Sequence, residues 1–171
     1  MTDEIHRQIR DEILERLTET GIAYSCLTHA PAHTMAECAA PAAALQAVIP
    51  ANLFLRPRRH EIYYLLLAHP DSRLNTSSVS RQIGSPRLSF ASEDELFTRM
   101  RARSGSASPL GFLFPEARDV TLLVDRRLTD VPRLGFHPCD NTATLAMDSQ
   151  AFFQTFLPYI SKEPVWVDME G

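Results

Sequence analysis

A loop poor in side chains, GSASPLGF at residues 105–112, has the residue types best suited to chemistry. Gly105 and Gly111 allow the main chain to approach a ligand closely, and Pro109 fixes a turn. The residues between the first glycine and the proline carry little bulk: Ser106, Ala107 and Ser108. Backbone N–H groups in such a loop can face a carbonyl oxygen, where each well-aimed donor stabilises an acyl-transfer transition state by about 2.7–4 kcal/mol. A plain surface turn explains the same composition, and both interpretations stay open.

Histidines in the segment HAPAH, residues 29–33, suggest a metal site. Glu37 and Cys38 follow and add ligand atoms. However, Pro31 disrupts the helical spacing of the two histidines, and no second ligand pair is placed to complete a tetrahedron. We therefore predict that the protein has no metal site.

A second group combines His137, Cys139 and Asp140, which suggests a thiol nucleophile with its base. Pro138 and the turn-like segment CDN favour a structural cysteine instead. The phosphate-binding patterns GxxxxGK and GxGxxG are absent from the sequence. Neither a nucleotide hydrolase nor a dinucleotide oxidoreductase is indicated, and we predict no cofactor.

The positive charge of the chain is concentrated in its middle. The net charge is -4, yet residues 51–118 carry 10 arginines against 6 acidic residues. Every basic residue except Lys162 is arginine, whose planar guanidinium suits phosphate. A polyanion site and an ordinary solvated surface both fit this pattern.

Length and composition predict one domain spanning residues 1–171. The chain has 171 residues, of which 44% are hydrophobic and 22% charged. It opens on charged residues and has no apolar run near the roughly 20 residues needed to cross a bilayer, so we expect a cytoplasmic protein without membrane contact. The odd number of cysteines, at Cys26, Cys38 and Cys139, favours reduced thiols.

The elements that must position these residues follow from periodicity. Ile5, Ile9, Ile13 and Leu17 recur every four residues and predict an amphipathic helix over 3–20. Further predictions are a strand at 22–27, a small-residue helix at 33–45 broken near Pro41, and a central hairpin of strands 52–55 and 61–68 around the turn 56–60.

Capping signals mark two short helices in the middle of the chain. Asn75 or Thr76 begins the first, which ends at Gly84, and Ser92 with Glu95 forms a capping box for the second. Strands are predicted at 119–125, 134–138 and 142–147, and a closing helix at 148–160 with Asp148 as its cap. The mixed order of elements predicts an α+β or mixed-sheet domain.

Six segments, in this order and spacing, resemble the freestanding prolyl-tRNA editing proteins, which belong with the YbaK-type deacylases. They are HAPAHT at 29–34, NLFL at 52–55, YYLLL at 63–67, RLSFAS at 87–92, GSASPLGF at 105–112 and FHPCDNTATL at 136–145. The resemblance covers nearly the whole chain, from about residue 9 to about residue 159. It implies a single compact α+β domain with a curved mixed sheet flanked by helices, and hydrolysis of a mischarged amino acid, alanine above all, from proline tRNA.

The resemblance also assigns roles to residues. It implies catalytic roles for Asn52, Gly105 and His137, with no metal. The residues expected to contact the substrate are Ser106, Ala107, Ser108, Pro109, Ala51, His29 and Thr34. Those expected to contact tRNA phosphates are Arg56, Arg58, Arg59, Arg81, Arg101 and Arg103. Prolyl-tRNA synthetase is a further candidate partner.

One position departs from the family pattern. Where the family has lysine before the asparagine of its K-N-L-F-L motif, this sequence has Ala51. Three interpretations remain: an active deacylase that uses another arginine such as Arg56 or Arg81, a weakened member that binds aminoacyl-tRNA without hydrolysing it, or a protein for another small ligand. Serine, cysteine and threonine also remain as acyl groups, because Ser106 and Ser108 offer hydroxyls.

Overall fold

The computed structural model describes residues 3–170, which form two β-sheets with helices packed around them. The strands are β1 Ser25–Thr28, β2 Ala51–Pro57, β3 Tyr64–Ala68, β4 Leu88–Phe90, β5 Thr121–Asp125, β6 Arg133–Phe136, β7 Ala143–Asp148 and β8 Val165–Val167. The helices are α1 Asp3–Glu19, α2 Ala39–Leu45, α3 Thr76–Ile83, α4 Glu93–Met100, α5 Ser149–Ala151 and α6 Leu157–Tyr159. A π-helical stretch, Phe152–Phe156, joins the last two, and 3₁₀ turns occupy Pro109–Leu113, Pro115–Ala117 and Arg126–Asp130.

The larger sheet is mixed, with the strand order β4-β2-β3-β5-β8. Strands β2 and β3 form the predicted antiparallel hairpin, with Leu53 opposite Leu66. Strand β5 then runs parallel to β3, and β8 runs parallel to β5. A separate antiparallel sheet has the order β1-β7-β6. The α+β class with a mixed sheet is therefore confirmed, and a second, smaller sheet accompanies it.

Helix α1 closes the core through one apolar stripe. Ile9, Ile13 and Leu17 are buried, as their spacing predicts, and join a cluster that includes residues of both sheets. Ile5 is 38% exposed, whereas His6 is only 7% exposed. The first turn of the helix therefore buries a histidine where the repeat predicted an isoleucine.

The capping predictions in the middle of the chain are confirmed. The Asn75 side chain accepts a hydrogen bond from the main-chain N–H of Ser78 at 3.0 Å, and Gly84 ends α3 in the left-handed conformation. Ser92 and Glu95 form the reciprocal bonds of a capping box at the start of α4. Local side-chain chemistry sets these boundaries, so the sequence alone locates them.

Three features differ from the predictions by more than a few residues at the end of an element. The predicted helix at 33–45 begins only at Ala39, after turns, and Pro41 lies in its first turn, where a missing N–H leaves no bond unmade. Asp148 occupies the predicted cap position but makes no capping bond, and its carboxylate instead lies 3.4 Å from Arg133. Strand β8 was not predicted, because a strand of three residues is too short to show a period of two.

Within residues 3–170, no helix is long and apolar enough to cross a membrane.

Candidate active site

A pocket of about 170 Å³ opens where three segments meet: the turns before α2, the start of β2, and the loop that contains Gly105. Six residues predicted to form the site line it, namely Thr34, Ala51, Asn52, Gly105, Ala107 and His137. The rest of the lining is largely apolar and comprises Ala32, His33, Met35, Cys38, Ile49, Pro50 and Leu53. The pocket is therefore small, with few polar groups.

Successive residues of the loop that contains Gly105 face opposite sides of it. Gly105 and Ala107 line the pocket, whereas Ser106 lines a second cavity on the other side of the loop. Ser108 is fully buried, and its hydroxyl accepts a bond from the N–H of Leu110 at 3.1 Å, which caps the following 3₁₀ turn. Pro109 is buried as the first residue of that turn. Neither Ser108 nor Pro109 lines the pocket, although both were predicted to contact the substrate.

Gly105 has a φ of +86°, a conformation that side chains rarely adopt. A Cβ built there would lie 3.8 Å from the Cα and the carbonyl oxygen of His33, at ordinary contact distance. The backbone conformation, more than lack of space, therefore requires glycine. The hydrogen bonds found within residues 3–170 leave the N–H groups of Gly105 and Ala107 without an acceptor. Among the described residues, these two main-chain donors of the pocket loop therefore have no acceptor.

His137 is held in one orientation by the main chain. Its Nδ1–H donates to the carbonyl oxygen of Ala143 at 2.8 Å, which leaves Nε2 as the acceptor. The Sγ of Cys38 lies 3.7 Å from this Nε2. Burial of the ring, 6% exposed, lowers the pKa of His137. The ring is consequently neutral at pH 7 and offers a lone pair in the pocket wall.

His29 lies behind His137 and not in the pocket lining. Its Nδ1–H donates to the carbonyl oxygen of Ala30 at 2.7 Å, and its Nε2 lies 2.8 Å from the hydroxyl of Thr144. That hydroxyl is 3.2 Å from Nδ1 of His137. The two rings are 6.0 Å apart between centroids. His29 and Thr144 therefore support the orientation of His137. The sequence did not single out Thr144, because its neighbours in β7, Ala143 and Leu145, are apolar and nothing local marks it as part of a site.

The side-chain amide of Asn52 is only partly hydrogen-bonded to the described part of the chain. Its Nδ2 donates to the carbonyl oxygen of Pro50 at 3.2 Å. Its Oδ1 is buried and has no hydrogen-bond partner within residues 3–170. A buried acceptor without a partner is costly, so a donor on a ligand is the natural complement. Thr34, also in the lining, donates its hydroxyl to Glu37 at 3.1 Å.

The cysteines around the pocket are not activated. Burial raises the pKa of the Cys38 thiol, with a smaller contribution from the charge of Glu37. Complete burial raises the pKa of Cys139 to about 12, and its thiol donates to the carbonyl oxygen of Met100 at 3.5 Å. Both thiols stay protonated at neutral pH, which fits the predicted structural role of Cys139. No group of three or more metal-ligating side chains occurs within residues 3–170.

Arg56 is occupied by the protein itself. Its guanidinium is paired with Glu95 and donates to the hydroxyl of Tyr63 at 3.3 Å. The pKa of Glu95 is lowered to about 2 by the Tyr63 hydroxyl bond, which has the largest effect, and by hydrogen bonds from the main-chain N–H of Ser92 and from this guanidinium. Arg99 lies over the same tyrosine ring at 4.6 Å from its centre. This cluster ties β2 to α4 and leaves Arg56 little freedom to reach a phosphate.

The other arginines predicted to contact tRNA lie on separate elements. Arg58 and Arg59 are exposed in the turn between β2 and β3, and Arg81 is exposed on α3. Arg101 lies over the ring of Phe114 at 4.0 Å and pairs with Glu116 at 2.8 Å. Arg103 lines the second cavity, beside Ser106. The exposed pair in the turn is therefore the better candidate for phosphate contacts.

Comparison with known proteins identifies the family. Residues 29–154 match the model of the aminoacyl-tRNA editing domain. The prolyl-tRNA editing protein ProX of Acetoanaerobium sticklandii is 32% identical over 138 residues, which cover 81% of this chain and 84% of that protein. The prolyl-tRNA synthetase associated domain-containing protein 1 of Danio rerio is 30% identical over 92% of this chain and 85% of its own length.

A solved structure shows the same fold. A candidate trans-editing enzyme for prolyl tRNA synthetase superposes with a TM-score of 0.71 at 18% identity, over 95% of this chain and 97% of that chain. The resemblance found in the sequence motifs thus extends to sequence relatives and to architecture. The chain belongs to the aminoacyl-tRNA editing domain family, among the prolyl-tRNA editing proteins.

Proposed function

We propose that this protein hydrolyses the ester of alanine mischarged on proline tRNA, acting in trans. The observation that carries the proposal is the pocket itself, about 170 Å³, lined by Gly105 and Ala107 with Asn52 and His137 nearby. We expect such a space to fit a methyl side chain and the ester, and to exclude larger acyl groups by their size. Related proteins named for prolyl-tRNA editing support the choice of tRNA.

The chemistry requires neither a protein nucleophile nor a thiolate. An aminoacyl ester is already activated, so positioning an attacking water molecule and stabilising the oxyanion suffice. The bond from the acyl carbon to the ribose oxygen breaks, and that oxygen leaves as a hydroxyl with the proton that the water gives up. The unused N–H groups of Gly105 and Ala107 supply the oxyanion donors. Neutral His137 accepts a hydrogen bond from the attacking oxygen at Nε2, in exchange for the weak thiol bond of Cys38.

Asn52 completes the substrate contacts. Its unpaired Oδ1 accepts from the α-ammonium group of the amino acid or from a ribose hydroxyl. An acceptor fixed by the bond to Pro50 would orient the ester against the Gly105 loop. The asparagine thus binds and orients, while the loop and His137 act on the reacting atoms.

The pocket favours alanine over hydroxylated acyl groups. Serine and threonine substrates would need a hydroxyl partner, which the sequence suggested in Ser106 and Ser108. Ser106 faces the other cavity, and Ser108 uses its hydroxyl to cap a turn. Glycine esters, by contrast, are smaller than the pocket and enter it, because steric exclusion cannot reject a smaller group.

A weakened, binding-only member is the second candidate, because Ala51 lines the pocket where the family has lysine. Arg56 does not replace that cation: it lies five residues further along the same strand, roughly 16 Å away at the usual strand rise, and is paired with Glu95. Arg81 lies on α3, outside the pocket lining.

Binding of this protein to prolyl-tRNA synthetase stays a prediction.

The test is deacylation of proline tRNA charged with alanine, glycine, serine, cysteine, threonine or proline. We expect hydrolysis of the alanine and glycine esters and at least tenfold slower reaction of the others. Tight binding of alanyl-tRNA without turnover would establish the second candidate. Absence of both binding and turnover would leave only the third interpretation, in which the protein acts on a different small ligand.

A further inference from the structure

The smaller sheet brings three polar side chains together behind the pocket. His29 directly follows β1, Thr144 lies on β7, and His137 directly follows β6. Since the strand order is β1-β7-β6, Thr144 lies between the two rings. Its Oγ1 is 2.8 Å from Nε2 of His29 and 3.2 Å from Nδ1 of His137. Of these three side chains, the function proposed above uses only His137.

Two main-chain carbonyl groups determine where the protons of these side chains lie. A carbonyl oxygen only accepts, so Nδ1 of His29, 2.7 Å from the oxygen of Ala30, carries a hydrogen. Nε2 of the neutral His29 ring is then an acceptor, and the Thr144 hydroxyl donates to it. The oxygen of Ala143, 2.8 Å away, likewise requires a hydrogen on Nδ1 of His137. Oγ1 of Thr144 accepts from that same N–H, so both bonds of the hydroxyl run in one direction, from His137 to His29.

Packing alone does not require a threonine at position 144. The residue is fully buried in an otherwise apolar stretch of β7, where a valine would have nearly the same shape and no polar group. A buried hydroxyl is costly unless it is hydrogen-bonded, and this one has a donor on one side and an acceptor on the other. The two histidine rings therefore account for the hydroxyl.

The arrangement stabilises a positive charge on His137. When Nε2 takes up the proton of the attacking water, the ring becomes a cation whose Nδ1–H has two acceptors, the Ala143 oxygen and the Thr144 hydroxyl. Hydrogen bonds from a charged donor are stronger than those from a neutral one. The hydroxyl is a better acceptor because it donates to His29 at the same time. The proton then passes from Nε2 to the leaving ribose oxygen, and Nδ1 keeps its hydrogen throughout.

The ionisable groups that face the His137 ring are His29, Cys38 and Asp140. Burial has the largest effect and lowers the pKa of His137, whereas the bond to Ala143 raises it. A charge on His29 lowers this pKa further, and the carboxylate of Asp140 raises it. The thiol of Cys38 is neutral. Acceptors at Nδ1 therefore oppose the effect of burial and keep the ring usable as a base.

We propose that Thr144 and His29 are positioning residues of the hydrolysis: the His29–Thr144–His137 network fixes an acceptor at Nε2 of His137 and stabilises the protonated ring during the reaction. The inference rests on the proposed function, because it assigns His137 as the group that receives the proton of the attacking water. It gives the smaller sheet a role in the chemistry, since its three strands hold the three side chains in line.

The experiment compares two substitutions of one residue, Thr144→Val and Thr144→Ser, in alanyl-tRNA hydrolysis between pH 5 and pH 8. We expect kcat of Thr144→Val to fall about fivefold to tenfold with KM within about twofold, because the lost acceptor bound the charged ring more strongly than the neutral one. The acid limb of kcat should move to lower pH. Thr144→Ser retains the hydroxyl and should restore both properties. The control Thr28→Val, at an exposed position of β1, should change neither.

Nitrogen-15 NMR of the histidine rings tests the network without substrate. In the wild type we expect a protonated Nδ1 and an unprotonated Nε2 on His137, and in Thr144→Val a titration of this ring at lower pH. The opposite tautomer in the wild type would overturn the proposal. If Thr144→Val does not fold, Thr144→Ala removes the same hydroxyl and replaces it in every measurement.

The outcomes separate this proposal from the proposed function. Wild-type hydrolysis that Thr144→Val leaves unchanged in rate and pH profile would overturn the network and leave the function standing. A lower kcat with an unmoved acid limb and an unmoved ring titration would show a purely structural role, and would also overturn it. If the wild type does not hydrolyse alanyl-tRNA, the proposed function fails and the ring titration decides: a shift to lower pH in Thr144→Val supports the network, and an unchanged titration overturns it.

Discussion

The thiol of Cys38 and the imidazole of His137 meet in the pocket wall, with Sγ 3.7 Å from Nε2. A cysteine beside a histidine suggests a nucleophile and its base, but catalytic pairs of this kind depend on a lowered thiol pKa. Here burial raises the pKa of Cys38 and lowers the pKa of His137. Both groups are neutral, so the contact is a weak hydrogen bond and not an ion pair.

The first prediction follows from this contact. Cys38→Ala removes the thiol from Nε2 of His137 while leaving the imidazole bound to Ala143. We expect kcat/KM for alanyl-tRNA to stay within about threefold of the wild type, since the weak S–H bond contributes little. A loss of a thousandfold, or a trapped acyl-thioester in the wild type, would instead establish Cys38 as the nucleophile.

The second prediction concerns Gly105, whose φ is +86°. Gly105→Ala forces an L residue into a conformation that costs roughly 1–2 kcal/mol, and the loop will shift to relieve it. We expect kcat/KM to fall at least tenfold while the fold persists. The control is Gly21→Ala, which has a φ of +76° and open space around the added methyl. It should lose similar stability and no activity, and equal activity loss in both variants would contradict a specific role for the pocket loop.

The third prediction is a pH dependence set by His137. Burial lowers the pKa of His137 in the folded protein below the ordinary 6.5, so the unfolded chain takes up this proton more readily than the folded one. Stability should therefore fall as the pH drops below about 6.5 and be unaffected by this group above it. Urea unfolding at pH 7.5 and pH 5 measures the difference. In His137→Gln that part of the pH dependence should disappear, and an identical slope in both proteins would contradict the assignment.

Short-range signals in the sequence predicted much of the fold. The stripe Ile9, Ile13 and Leu17, the cap at Asn75 and the capping box at Ser92 each depend on residues no more than four positions from the next. The hairpin of β2 and β3 likewise follows from adjacent apolar segments. Such local chemistry is decided before tertiary packing acts, and the structure confirms it.

Contacts between residues far apart in sequence determine which side chains come together around the pocket, and no local sequence pattern reveals such contacts. Cys38 and His137 are 99 residues apart in sequence, and His6 reaches the carbonyl of Cys139 across 133 residues. The alternation of Ala107 and Ser106 between two cavities likewise depends on what packs on each side of the loop. The sequence therefore indicated a loop that lines a pocket, and it could not predict which side of the loop each side chain faces.

The fourth prediction concerns the exposed turn between β2 and β3. Arg58→Ala with Arg59→Ala should weaken tRNA binding equally for different acyl groups, because phosphate contacts carry no acyl specificity. The dependence of log K on log salt should decrease by up to about 2 if each arginine contacts one phosphate. A matched control replaces Arg126 and Arg127, also adjacent and exposed, with alanine. An unchanged slope in the first variant, or an equal change in both, would exclude the turn as the phosphate-binding surface.

The last prediction concerns Ala51, which lines the pocket beside Asn52 at the position where the resemblance to the family leads us to expect lysine. A lysine there would place a cation close to the substrate's terminal ribose or phosphate, and a charge-assisted hydrogen bond contributes about 1.5–3 kcal/mol, or roughly ten- to a hundredfold in a rate. We expect a slow but measurable wild-type deacylase and a faster Ala51→Lys variant, mainly through kcat/KM. Ala51→Met is the control, because it adds similar length without charge and should not accelerate the reaction. A wild-type rate equal to that of relatives with lysine would show that another cation has replaced it. Inactivity of both proteins despite tight tRNA binding would favour the binding-only member of the family.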